Sequence, residues 1–132
     1  MAAVEFALLG TMLLFIVAGI IDFGHAWYLK QMITNASREG ARYGVAYNVD
    51  STATRVKPNT LSPSIQTYTT SFLPNLSATV PTPTGAGYTS GTKLDPLTVT
   101  VNATKTWFVL GGFLPASTLP TTLSASTTML LE

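Results

Sequence analysis

Apolar positions are distributed unevenly along this chain of 132 residues. Between Glu5 and Asp22 runs FALLGTMLLFIVAGII, which contains neither a charge nor a proline. A helix of those 16 residues rises about 24 Å, short of the roughly 30 Å hydrocarbon layer of a bilayer. Adding residues 1–4 and 23–29 makes the stretch long enough to span, but brings in two carboxylates. Trp27 and Tyr28, followed by Lys30, fall where an interfacial aromatic belt belongs. The pattern therefore predicts a spanning segment over residues 1–29. A secretory signal fits poorly, because no basic stretch precedes the apolar block and no small-residue cleavage site closes it.

After Lys30 the pattern becomes amphipathic. Leu29, Met32, Ile33, Ala36, Gly40, Tyr43 and Tyr47 follow the i, i+3, i+4, i+7 spacing of a one-faced helix. Arg38, Glu39 and Arg42 lie largely off that stripe, and Glu39 can pair with Arg42 three positions on. No proline occurs before Pro58, and Asn48 offers a stop. One helix over residues 2–47 is expected, about 70 Å long. Its first half wants lipid or other helices; the amphipathic continuation, residues 30–47, wants one partner surface.

Residues 48–132 read as a small Thr/Ser-rich head. Residues 48–61 are polar and form a loop. Ser62-Pro63 resembles an N-cap with proline at the first helical position. Ile65, Tyr68, Thr69, Phe72 and Leu73 then make a short helical stripe that Pro74 ends, although the threonines also suit a strand. Residues 81–96, rich in Pro, Gly, Ser and Thr, read as a surface loop. Leu97, Val99, Val101 and Ala103 alternate with polar residues, as do Leu123, Ala125, Thr127 and Met129, which predicts two half-buried strands. Residues 76–80 offer a third. The apolar run at residues 107–110 stops at Gly111-Gly112, and Pro115 and Pro120 bound a turn. Trp107, Phe108 and Phe113 read as core or subunit interface. The expected fold class is α+β: a long helix whose amphipathic half packs on a small antiparallel sheet, with one short extra helix.

Composition narrows the chemistry. Seven Lys+Arg against six Asp+Glu give a net charge of +1, without the clustered basic surface of a nucleic-acid binder. There is no cysteine and one histidine, so thiolate metal sites and Cys nucleophiles are excluded, and a His-rich centre is disfavoured. No set of nucleophile, base and orienting group stands out, so no enzyme, metal or cofactor is expected. The Asn-X-Ser/Thr triplets at Asn35, Asn75 and Asn102 are short and common patterns.

The candidate residues lie on the first helix. A carboxylate as deep as Glu5 is expensive in lipid and points to function. Ala3, Ala7 and Thr11 recur at four-residue spacing, which lets apolar helices approach closely. Gly10, Gly19 and Gly24 add close approach or bending. Asp22 and His25, three apart, are expected as an interfacial polar pair, with Asp22 bonded to His25 or to a neighbouring subunit.

A long half-apolar helix carrying a small sheet resembles the body plan of the type IV pilins. The resemblance becomes specific in MAAVEF, which puts Glu at the fifth position when Met1 is the first residue of a processed chain. Ala2-Ala3-Val4-Glu5-Phe6 looks like the tight-adherence branch. AVEFALL, Asp22-Phe23-Gly24 and NASREGARYG at residues 35–44 are similar to its TadE-like group, with Arg38, Glu39, Gly40 and Arg42 the most specific positions after the Glu5 segment. The LTVTV and LSASTTM strands also resemble that group, whereas residues 48–96 do not contribute. The resemblance implies a pilin or pseudopilin made with a leader, handled by a prepilin peptidase and pilus assembly machinery. It implies a bacterial-type inner-membrane location before assembly, then an extracellular filament used for attachment.

The physics of Glu5 agrees with that role. A carboxylate buried in a helix bundle needs a cation, and the nearest at that depth is the Met1 ammonium of the same or a neighbouring subunit. Three readings follow: a filament subunit that forms a helical homopolymer, a minor component that primes or caps such a filament, and a monomeric membrane-anchored surface module.

Overall fold

The computed structural model describes residues 1–46, 48, 49, 52, 54–112 and 121–132. A single helix, α1, runs over Ala2–Val45, about 66 Å at 1.5 Å per residue. It is long and apolar enough to cross a membrane. It ends three residues before Asn48, because Ala46 turns to φ −56°, ψ 136° and leaves the helix. Tyr47, expected on the helix stripe, lies outside the described residues.

The head is built on a three-stranded antiparallel sheet in the order β1 (Ala78–Thr79), β2 (Pro96–Thr104), β3 (Thr122–Leu130). The register runs from Pro96 opposite Leu130 to Thr104 opposite Thr122, and β1 adds Ala78 opposite Ala103. The two alternating runs form strands as their spacing predicts. Leu97, Val99, Val101 and Ala103 are buried, and the other face pairs hydroxyls across strands: Thr98 with Thr128 at 2.7 Å, Thr100 with Ser126 at 3.3 Å. This outer face is polar without being charged.

Two apolar clusters join α1 to the sheet. Ile33 and Ala36 pack with Leu73, Val101, Ala103 and Ala125. Ala41 and Val45 pack with Ile65, Leu97, Val99 and Leu131. The C-terminal end of α1 thus meets the start of β2, and β2 runs back toward the apolar half of the helix. The register delivers the chain leaving Thr104 to the level of Asp22. Lys30 ties the same end of the sheet to the helix by donating its Nζ–H to the Ser124 carbonyl.

Helix α2 covers Ile65–Ser71, and its helical period wins over the strand preference of its threonines. Its cap is Ser64, not Ser62: the Thr67 N–H donates to Ser64 Oγ at 3.2 Å, and Ser62-Pro63 is a cis peptide bond outside the helix. A 3-10 turn at Pro58–Thr60 lies within the expected loop at residues 48–61. The expected loop at residues 81–96 also holds short structure, a four-residue helix α3 (Gly87–Ser90) and a bridge between Thr84 and Thr98.

Candidate functional site

The polar and apolar candidates are all presented by α1, and the structure treats its two deep carboxylates differently. Glu5 is exposed, and among the described residues it has no ion pair with the exposed Met1 ammonium of its own chain. Among the described residues nothing forms a covering layer around it: Phe6 is 78% and Leu14 70% exposed. Ala3, Ala7 and Thr11 are exposed too, and the Thr11 hydroxyl donates to the Ala7 carbonyl at 2.7 Å, so the helix satisfies its own polar group. A Cβ added at Gly10, Gly19 or Gly24 would meet nothing within 4 Å, so in the single chain these glycines face open space.

Asp22 is closed to solvent. Its Oδ1 accepts the Phe108 N–H at 2.9 Å; its Oδ2 accepts the Val109 N–H at 3.1 Å and the Leu110 N–H at 2.8 Å. Lys105 Nζ stands 3.6 Å from Oδ1, with that side chain buried as well. The ammonium also donates to the Thr106 carbonyl at 2.6 Å and lies 4.7 Å from the Trp107 ring centre and 5.0 Å from that of Phe108. One carboxylate on α1 thus gathers three successive backbone donors and a cation from the β2–β3 connection.

The expected bond between Asp22 and His25 is not formed. Both oxygens of Asp22 are taken by the amides, and three N–H donors with an ammonium outcompete one imidazole. His25 Nδ1 is buried and has no hydrogen-bond partner among the described residues, and the ring lies 5.0 Å from that of Phe108. Phe108 is 65% exposed, so it is not a core residue; Phe113 lies outside the described residues. The sequence reading missed Lys105 and the loop amides. The available signal was a lone lysine two positions before an apolar run, able to answer the lone aspartate that ends another. Among the described residues no group of three or more His, Asp and Glu could hold a metal ion.

The second polar cluster, at residues 38–42, mixes surface and packing. Arg38 is exposed, and Glu39 accepts from Arg42 Nε at 3.1 Å on the outer side of α1. Gly40 faces inward. A Cβ there would stand 2.1 Å from Thr69 Oγ1, and one at Gly44 would stand 2.5 Å from Leu97 Cδ2. These two positions let α2 and β2 lie directly on the helix backbone. Tyr43 closes the rim, stacking on Tyr68 at 4.2 Å and donating its hydroxyl to the Pro63 carbonyl at 2.9 Å.

A family model described as TadE-like protein matches residues 1–42. Over that stretch the chain is similar to the TadE-like proteins. No curated protein matches the chain, and no solved structure does. The TadE-like segment takes in Glu5, the small-residue positions, Asp22, His25 and the cluster from Arg38 to Arg42. It stops before the sheet, so Lys105 and the amides that hold Asp22 lie outside it. The TadE-like match and the exposed apolar helix point to a component associated with the tight-adherence pilus and carrying an N-terminal membrane-anchor helix.

Proposed function

We propose that the chain is a structural subunit of a type IV pilus-like extracellular filament. It stands in the inner membrane through residues 1–29 before assembly and polymerises through the same half-helix, for surface attachment. The observation that carries this reading is the contrast along α1. From Leu29 to Val45 one face is closed by the head, whereas before Ala18 no residue is buried. So much exposed apolar surface needs lipid or neighbouring helices. Lipid serves before assembly, and helices of other subunits serve in the filament.

In that bundle Glu5 takes the Met1 ammonium of a neighbouring subunit, and the small-residue face allows close helix approach. The threonine and serine face of the sheet forms the outer coat. The role is structural and non-enzymatic. Its partners are further copies of the chain, with a prepilin peptidase and pilus assembly machinery implied by the family resemblance.

The test is electron microscopy of the sheared surface fraction with gold-labelled antibody, together with intact mass and N-terminal sequencing of the same material. Label along whole filaments, with a free or N-methylated Met1 amine cut from a longer precursor, is the expected result. Label at filament ends alone would make the chain a priming or capping component. An unprocessed Met1 in a membrane-bound monomer would make it an anchored surface module.

A further inference from the structure

The β2–β3 connection does not turn tightly. Lys105 N–H donates to the Thr121 carbonyl at 2.7 Å, closing a neck from which the chain descends along α1 toward its apolar half. The first residues past the neck are Trp107, Phe108, Val109 and Leu110, four successive large apolar side chains. Val109 shares an apolar recess with Leu14, Phe15, Ala18 and Ile21. Ala18 is the one residue of α1 before Asp22 that is buried, and Val109 lies at that level. Trp27 and Tyr28, 60% and 58% exposed, lie higher on the helix. The loop therefore reaches below the aromatic belt, alongside residues expected within the hydrocarbon.

Irregular backbone is tolerated at that depth only when its polar groups are satisfied internally. Here they are. The N–H groups of Phe108, Val109 and Leu110 all go to Asp22, and the Gly112 N–H goes to the Val109 carbonyl at 3.2 Å. The charge that does this is countered by Lys105, itself covered by two aromatic rings. Water would satisfy these amides unaided, and it would not favour Phe108 standing 65% exposed on the same loop. The arrangement suits a surrounding that offers no hydrogen bonds and is continuous with the one around the helix.

We propose that residues 107–110 form a second membrane-contacting element, inserted among the acyl chains with Phe108 at the level of His25 and Val109 beside residues 14–21, and held there by Asp22 and Lys105. The occupant of this surface is the lipid bilayer. The proposal rests on the membrane-anchored state of the unassembled chain. It adds that the head is fixed to the bilayer at two points, so that leaving the membrane means withdrawing a loop as well as a helix.

The chain has no cysteine, so single-cysteine variants can carry an environment-sensitive fluorophore without background. Labels at Phe108→Cys, Leu14→Cys and Lys93→Cys would be compared in phosphatidylethanolamine/phosphatidylglycerol vesicles. Quenching by aqueous iodide would be set against quenching by doxyl-labelled lipid. Lys93 is exposed beyond the start of β2, at the end of the sheet remote from the loop. The expected result is that position 108 behaves like 14, with blue-shifted emission, lipid quenching and several-fold less iodide quenching than 93. Adding Asp22→Asn should return the 108 label to water while leaving 14 in lipid.

Iodide quenching at 108 as strong as at 93, with 14 in lipid, would overturn the loop proposal alone. Failure of lipid to quench position 14 would overturn the anchored reading beneath it. Protection of 108 from both quenchers would mean that protein covers the loop, and would also overturn the proposal. An unchanged 108 label in the Asp22→Asn background would remove Asp22 from its role.

Discussion

The Asp22 carboxylate and the Lys105 ammonium stand 3.6 Å apart with both side chains closed to solvent, one on the helix and the other just past the end of β2. This pair and the three amides beside it are the lowest point at which the head is fastened to α1 by polar contacts among the described residues. Breaking a buried pair on one side typically costs about 3–5 kcal/mol. Asp22→Ala should lose stability on that scale in detergent denaturation, with faster hydrogen exchange at the amides of Phe108, Val109 and Leu110. Lys105→Met should lose less, because the carboxylate keeps its three N–H donors.

Glu5 is the residue on which assembly is expected to turn. Glu5→Ala and Glu5→Gln should leave the chain in the membrane fraction while the sheared surface fraction loses its filaments. Among the described residues the head makes no contact at that level, so thermal unfolding of the head should be unchanged. Normal filaments from either variant would remove Glu5 from assembly.

The glycines of α1 should respond in opposite directions. Alanine gains about 1 kcal/mol over glycine in a helix interior. At Gly10, where a Cβ meets nothing within 4 Å, that gain should appear in the isolated subunit. At Gly40 the new Cβ would stand 2.1 Å from Thr69 Oγ1, and overpacking of this kind costs about 1–3 kcal/mol. Gly40→Ala should therefore lower the melting temperature of the head, and Thr69→Ala should recover part of the loss.

The cap of α2 separates two neighbouring serines. Ser64→Ala removes the acceptor of the Thr67 N–H and should cost about 0.5–2 kcal/mol, the usual range for a cap. Ser62→Ala should stay within about 0.5 kcal/mol, as an ordinary surface change does. Urea denaturation of the two variants side by side would distinguish them.

Several of these features were legible in the residues alone. The uninterrupted apolar run before Asp22 and the one-faced spacing after Lys30 announced a single helix. The alternation from Leu97 to Ala103 and from Leu123 to Met129 announced two strands with one buried face each. Such signals are local, because helix and strand periods repeat within a few residues, and one buried face is enough to reveal them. The same locality explains the two misplacements at helix ends. Ser62-Pro63 has the composition of a helix start, and Asn48 that of a stop, but backbone dihedral angles chose Ser64 and Val45.

What Asp22 does could not be read that way. Sequence spacing offers it only His25, one helical turn on, and a carboxylate takes whatever donors the fold brings nearest. Those donors come from residues 105–110, carried to the level of Asp22 by the register of β2 on α1. The partners of Gly40 and Gly44 were likewise invisible, since a glycine's reason lies in the atom that would otherwise collide with its Cβ. The chain's sequence determined which segments are helix and strand and which face each would bury. Only the packed structure decided which distant groups meet, because long-range contacts depend on how the elements close on one another, and no local period encodes that.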